Sequence, residues 1–147
     1  MAFRLDLKPG PEVLTEAAAL RHRVFVLEQG VDPAIEQDGR DEEALHVAVQ
    51  GQTGQVVATG RLMIKGDVAK VQRVAVAPEL RRGGVGRLVM DGLESLAVSR
   101  GARQVHLSSQ QSAVPFYERL GYVGQGAPYL EAGIVQLSMS KAVESAS

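Results

Sequence analysis

The residues best suited to chemistry lie between Arg81 and Arg87, where glycines and arginines are interleaved just ahead of an apolar, helix-like run. Glycine lets the backbone aim successive N–H groups at one point. The start of a helix adds unpaired N–H groups and a partial positive charge. The pattern therefore predicts a binding site for a multivalent anion, formed by Arg81, Arg82, Gly83, Gly84, Val85, Gly86 and Arg87.

The charges around this loop are the reverse of those expected at a helix start. Helices usually begin with Ser, Thr, Asp or Glu, yet none of these occurs between Leu80 and Met90. Each arginine beside the positive helix end would cost roughly a few tenths of a kcal/mol, and a bound phosphate or pyrophosphate would remove the conflict. The loop has neither P-loop nor Gly-x-Gly-x-x-Gly spacing. A glycine-rich turn with solvated arginines is the alternative.

Two other side chains are candidates on their residue type alone. His46 lies in an alternating, strand-like segment and has an intrinsic pKa suited to a general base, although an ordinary half-buried residue is equally compatible. Arg73 lies among valines, which favours an acceptor-binding role or a structural ion pair, with Glu28 as a possible partner. The acidic residues between Glu36 and Glu43 could attract a cationic amine or form a solvated loop.

The elements that must position these residues belong to an α/β pattern. We predict a strand at Phe3–Leu7 and a helix over Glu12–Glu28. Two strands then form a hairpin at Leu45–Gln50 and Val56–Ile64, followed by a third at Val71–Val76. The first half thus contributes an antiparallel meander.

In the second half, helices alternate with strands. A helix is predicted over Gly84–Arg100, a short strand at Gln104–Ser108, a second helix around Ala113–Leu120 and a last strand around Val135–Met139. Crossover helices imply that some strands are parallel, so we expect a mixed sheet with helices on both faces. Residues 142–147 are expected to form a flexible tail.

Composition narrows the classes of function. The chain has 147 residues, 45% of them hydrophobic, and a net charge of −1, which fits one globular domain over residues 1–147 and predicts neither nucleic-acid nor membrane binding. There is no cysteine, which excludes disulfides, thiolate metal sites and a cysteine nucleophile. With no signal peptide and no membrane-length apolar run, we expect a soluble, cytoplasmic protein without a bound metal.

Two motifs in order resemble the GNAT superfamily of N-acetyltransferases. Arg81–Gly86 matches its Gln/Arg-x-x-Gly-x-Gly/Ala signature, and Ser112–Tyr122 is similar to its closing helix, with a strand between them. Leu20–Gln29 and the segment from Glu36 to His46 resemble the ElaA-like and YjcF-like branch, so the resemblance covers nearly the whole chain.

The resemblance implies acetyl-coenzyme A as donor and the GNAT fold, in which an antiparallel meander precedes a splayed parallel pair. The Arg81–Arg87 loop would hold the pyrophosphate, and the backbone of Val74, Ala75 and Val76 would pair with pantetheine. Gln110, Phe116 and Tyr117 would line the far wall, with Tyr117 as general acid for the departing thiolate. Glu28 and His46 are candidate bases, while Phe25, Glu28 and Arg73 are candidate acceptor contacts.

One departure from the branch and several alternatives stay open. The branch often has Glu-x-Gly-Ile-x-His before the last strand, whereas this chain has Gln136, so no role of that histidine transfers. The acceptor is an unidentified small-molecule or peptide amine, and a homodimer is plausible from exposed strand edges. The alternatives are a non-catalytic acyl-coenzyme A-binding module and an acyltransferase with a longer acyl donor.

Overall fold

Seven strands form one mixed sheet in a computed structural model that describes residues 3–143. The spatial order is β1-β2-β3-β4-β5-β7-β6, and every neighbouring pair is antiparallel except β4 with β5. Both the predicted meander and the parallel pair are therefore confirmed. The strands are β1 Arg4–Asp6, β2 Leu45–Gln50, β3 Val56–Lys65, β4 Val68–Val76, β5 Gln104–Gln110, β6 Val123–Glu131 and β7 Ile134–Ala142.

Four α-helices accompany the sheet, and the first continues into a π-helical segment. α1 spans Pro11–Arg21 and runs directly into π-helical turns over His22–Glu28. The helix predicted over Glu12–Glu28 is thus present, but its second half is wound more widely, which apolar spacing alone does not indicate. The other helices are α2 Pro33–Glu36, α3 Val85–Ser99 and α4 Val114–Arg119.

Helices cover both faces of the sheet and bury two separate apolar clusters. The larger cluster joins α3, through Val89 and Leu93, to strand residues such as Val47. The smaller one joins Leu20 and Val24 to the opposite face of β4. α3 approaches β3 closely because residue 60 is glycine: a Cβ there would lie 2.8 Å from a Leu93 methyl carbon.

The parallel pair separates soon after it begins. β4 and β5 are paired only from Val68 to Lys70 and from Gln104 to His106. Beyond these residues β5 stays paired with β7 on its other side, through Gln110. The C-terminal half of β4 therefore faces an open slot instead of a neighbouring strand.

Two sequence expectations need correction. β6 was not predicted, because glycines and Pro128 interrupt any alternating pattern in an edge strand that is exposed along its length. The predicted tail begins too early, since Ala142 ends β7 and the Val143 amide donates to the Arg103 carbonyl at 2.9 Å. Residues 144–147, the rest of that predicted tail, lie outside the described residues. Along residues 3–143 there is no helix with the length and apolar character needed to cross a membrane.

Candidate active site

A cleft of about 1010 Å³ occupies the slot between the separated strands β4 and β5. Its floor and one wall come from β4, and the start of α3 forms one end. Helix α4, the end of the π-helical segment, the second half of β5 and the β6–β7 turn also contribute to the lining. Among the residues predicted for a site, the cleft brings together Phe25, Glu28, Arg73, Val74, Ala75, Val76, Arg81, Arg82, Gly84, Gly86, Arg87, Gln110, Phe116 and Tyr117.

The loop at the start of α3 has the backbone that the anion site requires. Gly84 is the N-cap residue, with φ of 83°, and no side chain in the described chain caps this helix start. Arg82 also has a positive φ, 70°, although it carries a side chain. Such a conformation is uncommon outside glycine and is tolerated chiefly where function uses it. The helix start therefore presents free N–H groups at the cleft.

Gly86 lets the first turn of α3 lie against the cleft wall. A Cβ at this position would be 3.3 Å from the ζ carbon of Phe116 and 3.6 Å from a Val76 methyl carbon. The third glycine of the motif thus serves close packing. By contrast, Val85 is buried, with 1% of its surface exposed, and contributes its side chain to the core. Gly83 is exposed but does not line the cleft.

The three arginines of the loop differ in their partners. Arg81 forms a two-pronged ion pair with Glu28, with Nη–Oε distances of 2.5 and 2.8 Å. Arg82 and Arg87 are exposed and form no salt bridge within residues 3–143. The guanidiniums of Arg82 and Arg87 are thus available to bind an anion, whereas Arg81 would first have to break its ion pair with Glu28.

The free edge of β4 offers backbone groups to the slot. The Ala77 amide donates to the Val57 carbonyl of β3 at 2.8 Å, and Ala75 lies opposite Thr59. In an antiparallel ladder, successive residues turn their N–H and C=O groups to opposite sides. The N–H and C=O groups of Val76 therefore point toward β5, from which β4 has separated.

Tyr117 is buried against Phe116 and Tyr122 but still borders the cleft. Its ring makes edge-on contacts with both, at centroid distances of 4.9 and 5.9 Å. Burial raises the pKa of Tyr117 to about 12, and no hydrogen-bond partner of its hydroxyl occurs among the described residues. The group is a protonated donor at neutral pH with its hydrogen bond uncommitted.

Glu28 lies at the end of the π-helical segment, bordering the cleft, but its carboxylate is poorly suited to accept a proton. The hydrogen bonds from Arg81 hold the pKa of Glu28 below its usual range, although partial burial acts in the opposite direction. Its role as a base stays a prediction, and one that this ion pair disfavours. Beside it, the Gln110 amide donates to the Gln29 side-chain oxygen at 2.8 Å, which links β5 to the same segment.

Arg73 lies at a β-bulge in β4, at the point where the strand enters the open slot. The register with β3 shifts between Thr59 and Arg61, and Arg73 itself has a φ of 58°. The predicted ion pair of Arg73 with Glu28 is wrong, because Glu28 is bound to Arg81. Instead, Arg73 lies near Glu36 and Asp38, at 3.8 and 3.5 Å.

A network of charged side chains supports this part of the cleft. Arg61 is fully buried and binds Asp38 and Asp41 at 2.5 and 2.9 Å. Arg21, also buried, binds Glu36 and Asp41 at 2.8 and 2.7 Å. The acidic segment that followed the first predicted helix is therefore largely a counter-charge for buried arginines and not a solvated loop. The sequence analysis did not identify Arg21 and Arg61 as part of this network. The signal available in the sequence was that each is a charged residue inside a predicted apolar helix or strand.

His46 is not brought to the cleft. It lies on β2, opposite Arg61 of β3, and its Nε2 is 2.8 Å from the carbonyl oxygen of Asp41. Two strands separate β2 from the slot beside β5. The expectation of His46 as a base is therefore corrected by its position. Gln136, where the branch often has histidine, does line the cleft.

Comparison with known families and structures accounts for nearly the whole chain. The family model described as acetyltransferase (GNAT) domain matches residues 12–143. The chain is 37% identical over 131 residues to the uncharacterised N-acetyltransferase YjcF of Bacillus subtilis, an alignment covering 88% of this chain and 93% of YjcF.

Solved structures repeat the same architecture. A Lactobacillus plantarum protein assigned to the N-acetyltransferases superposes with a TM-score of 0.88 at 29% identity, over 97% of this chain and 99% of that one. Escherichia coli ElaA superposes with a TM-score of 0.81 at 24% identity, over 95% and 98%. The second likeness concerns the fold, while the first extends to sequence.

Proposed function

Because this chain belongs to the acetyltransferase (GNAT) family, in its YjcF-like branch, and is thus an acyltransferase, we propose that it moves an acetyl group from acetyl-coenzyme A to an amine. The acceptor is a small molecule or an exposed peptide amine. Transfer occurs by direct attack while both substrates are bound. The observation that carries this proposal is the slot between β4 and β5, which ends at an uncapped helix start.

The slot and the loop together fit the donor. The N–H groups that begin α3, with the exposed guanidiniums of Arg82 and Arg87, suit the pyrophosphate. The outward-facing N–H and C=O groups of Val76 suit the amides of pantetheine, which would lie beside β4 as an added strand. Phe116 and Gly86 supply the wall between these two parts.

Acetyl transfer then needs little from side chains. The neutral amine nitrogen attacks the thioester carbonyl carbon, a C–N bond forms and the C–S bond breaks. The amine loses one proton to solvent and the departing sulfur gains one. A backbone N–H of β4 beside the bulge stabilises the developing oxyanion, and positioning of the two substrates supplies most of the remaining acceleration.

Tyr117 is the donor of the proton to sulfur in this proposal. Its support is the hydroxyl at the cleft, with its hydrogen bond uncommitted and a pKa raised to about 12 by burial. A tyrosine hydroxyl with so high a pKa stays protonated at neutral pH until the thiolate forms and accepts its proton. The amine itself needs no side-chain base where water can carry its proton away.

The proposal is tested by donor binding followed by turnover. Acetyl-coenzyme A is expected to raise the melting temperature of the protein, and a library of primary amines is expected to include at least one that releases free thiol from it. Binding of acetyl-coenzyme A without thiol release from any amine would favour a non-catalytic acyl-coenzyme A-binding module. Faster turnover with longer acyl donors would show that the acyl group transferred is longer than acetyl.

A further inference from the structure

The side chain of Arg73 is the least compensated cation in the charged network beside the cleft. The network contains Arg21, Arg61 and Arg73 with three carboxylates, Glu36, Asp38 and Asp41. Every contact of 2.9 Å or less in it belongs to Arg21 or Arg61, whereas Arg73 reaches its carboxylates only at 3.5 and 3.8 Å. The close contacts with the carboxylates are thus made by the other two arginines.

The polar atoms of Arg73 confirm this imbalance one by one. Nη2 donates to the Ile35 carbonyl at 3.1 Å. Nε is buried without a hydrogen-bond partner among residues 3–143, and Nη1 likewise has no partner there. Arg73 itself lines the cleft. Burial and the neighbouring Arg61 charge lower the pKa of Arg73. An unpaired, partly buried guanidinium N–H is costly unless a ligand satisfies it.

The backbone at Arg73 is held in an uncommon conformation. Its φ of 58° at the bulge puts a long side chain in the left-handed region, at a cost of about 1–2 kcal/mol. A glycine at this position would avoid this conformational cost, so we expect the arginine side chain to make an interaction that offsets it. The bulge also lies beyond Lys70, where the pairing of β4 with β5 ends, on the same strand as Val76, whose N–H group points into the slot.

We propose that Arg73 binds a carboxylate carried by the acceptor, so that the substrate class is an amine bearing a carboxyl group. This inference rests on the acetyltransferase function proposed above. A guanidinium N–H forms a strong, charge-assisted hydrogen bond to a carboxylate, and Nη1 of Arg73 has no partner among the described residues. The three arginines and three carboxylates of the network together carry no net charge, so a singly charged carboxylate meets less repulsion from Glu36 and Asp38 than a doubly charged phosphate would.

The test compares acceptors that differ only in this charge. Glycine, β-alanine, γ-aminobutyrate and larger α-amino acids are each paired with the corresponding carboxamide, and kcat/KM is measured by thiol release. At least one acid is expected to exceed its amide by about 10- to 100-fold. Equal values for acids and amides, in an enzyme that releases thiol, would overturn the inference and leave the proposed function intact.

Variants of Arg73 separate recognition from a structural role. Arg73→Gln is expected to lower kcat/KM for the acid toward that of its amide, while kcat/KM for the amide stays within about threefold of the wild-type value. Arg73→Lys keeps the positive charge but loses the planar guanidinium, so its kcat/KM for the acid should lie between those of the wild type and Arg73→Gln. Lys70→Gln removes a positive charge from the same strand and should keep the acid preference. Equal losses for acid and amide in Arg73→Gln would indicate structure alone.

A ligand comparison keeps the inference testable without turnover. In the presence of coenzyme A, N-acetylglycine should raise the melting temperature more than N-acetylglycinamide, and Arg73→Gln should remove the difference. If no amine releases thiol yet this difference is seen, the transferase function fails and carboxylate recognition stands. If the two ligands shift the melting temperature equally and acids show no advantage in turnover, carboxylate recognition is excluded.

Discussion

At the scale of single residues, Tyr117 combines burial with a hydroxyl at the cleft. Its ring packs between Phe116 and Tyr122, and burial alone raises its pKa to about 12. Arg81 and Glu28 show the opposite situation, since each charge is satisfied by the other. The site thus contains one hydroxyl whose hydrogen bond is uncommitted and one ion pair that would have to break before Arg81 could join Arg82 and Arg87 in the proposed binding of the pyrophosphate.

Replacement of Tyr117 by Phe removes the proposed proton donor with little change in packing. We expect kcat to fall by about 100-fold, while the Kd for acetyl-coenzyme A changes by less than about threefold, as measured by single-turnover kinetics and calorimetry. Since a tyrosine with a raised pKa loses its proton only near pH 12, wild-type kcat should not decline near the ordinary tyrosine value of about 10. A fall there, or an unaffected Phe variant, would contradict the role.

Replacement of Glu28 by Gln releases Arg81 for the pyrophosphate. Because an exposed ion pair of this kind is worth less than about 1 kcal/mol, we expect acetyl-coenzyme A to bind about 2- to 5-fold more tightly, measured by calorimetry. Glu79→Gln is the matched control, since it breaks the neighbouring Arg23–Glu79 pair, which joins the same two segments, but leaves the hydrogen-bonded Glu28–Arg81 pair in place. Weaker binding by Glu28→Gln would mean that Glu28 itself holds the donor.

At the scale of elements, the separation of β4 from β5 and the uncapped start of α3 together form the cleft. Pairing stops at Lys70 and His106, and the left-handed Gly84 then begins α3 at the end of the slot. The bulge at Arg73 turns the strand in the same region. The strand edge proposed to pair with the pantetheine amides and the helix start proposed to bind the pyrophosphate therefore lie at fixed positions relative to each other.

Replacement of Gly84 by Val tests the helix start. A β-branched side chain at φ of 83° has open space around it, so the effect comes from the backbone, which loses about 1–2 kcal/mol of conformational preference, and from a side chain in the path of the phosphates. Acetyl-coenzyme A binding should weaken by at least about tenfold. Gly66→Val, at φ of 62° in the β3–β4 turn with equally open space, should lower stability without changing that affinity.

At the scale of the whole molecule, the charged network ties the segment after α1 to the sheet. Asp38 and Asp41, which lie before β2, meet the fully buried Arg61 of β3. Glu36 meets the buried Arg21 of α1. The part of the cleft around Arg73 therefore owes its shape to ion pairs between segments far apart in sequence.

Replacement of Asp38 by Asn tests this connection through pH. Removing one partner of buried Arg61 should lower the free energy of unfolding by about 2–4 kcal/mol at pH 7, measured by urea denaturation. Arg61 holds the pKa of Asp38 well below its ordinary value of 3.8, so the stabilisation is complete above that value and is lost as the pH falls below it. The gap between wild type and variant should narrow toward pH 3.

The control for that measurement is an exposed pair. Glu43→Gln breaks the Arg40–Glu43 contact, in which both side chains are more than half exposed, and should change stability by less than about 0.5 kcal/mol. An Asp38→Asn variant as stable as Glu43→Gln would show that Arg61 does not depend on Asp38. A gap that widened in acid would reverse the sign of the assigned pKa shift.

The sequence by itself determined most of the elements and the glycine-rich start of α3, because both depend on local signals. Apolar spacing located α1, α3, α4 and six of the seven strands but not the short α2, and glycines with uncapped arginines marked the start of α3. β6 escaped because its glycines and proline carry no alternating pattern. Only the tertiary structure decided that Glu28 pairs with Arg81, that His46 lies two strands from the cleft and that Arg73 lies under-compensated at a bulge. Those facts depend on contacts between residues distant in the chain, which no spacing along the sequence records.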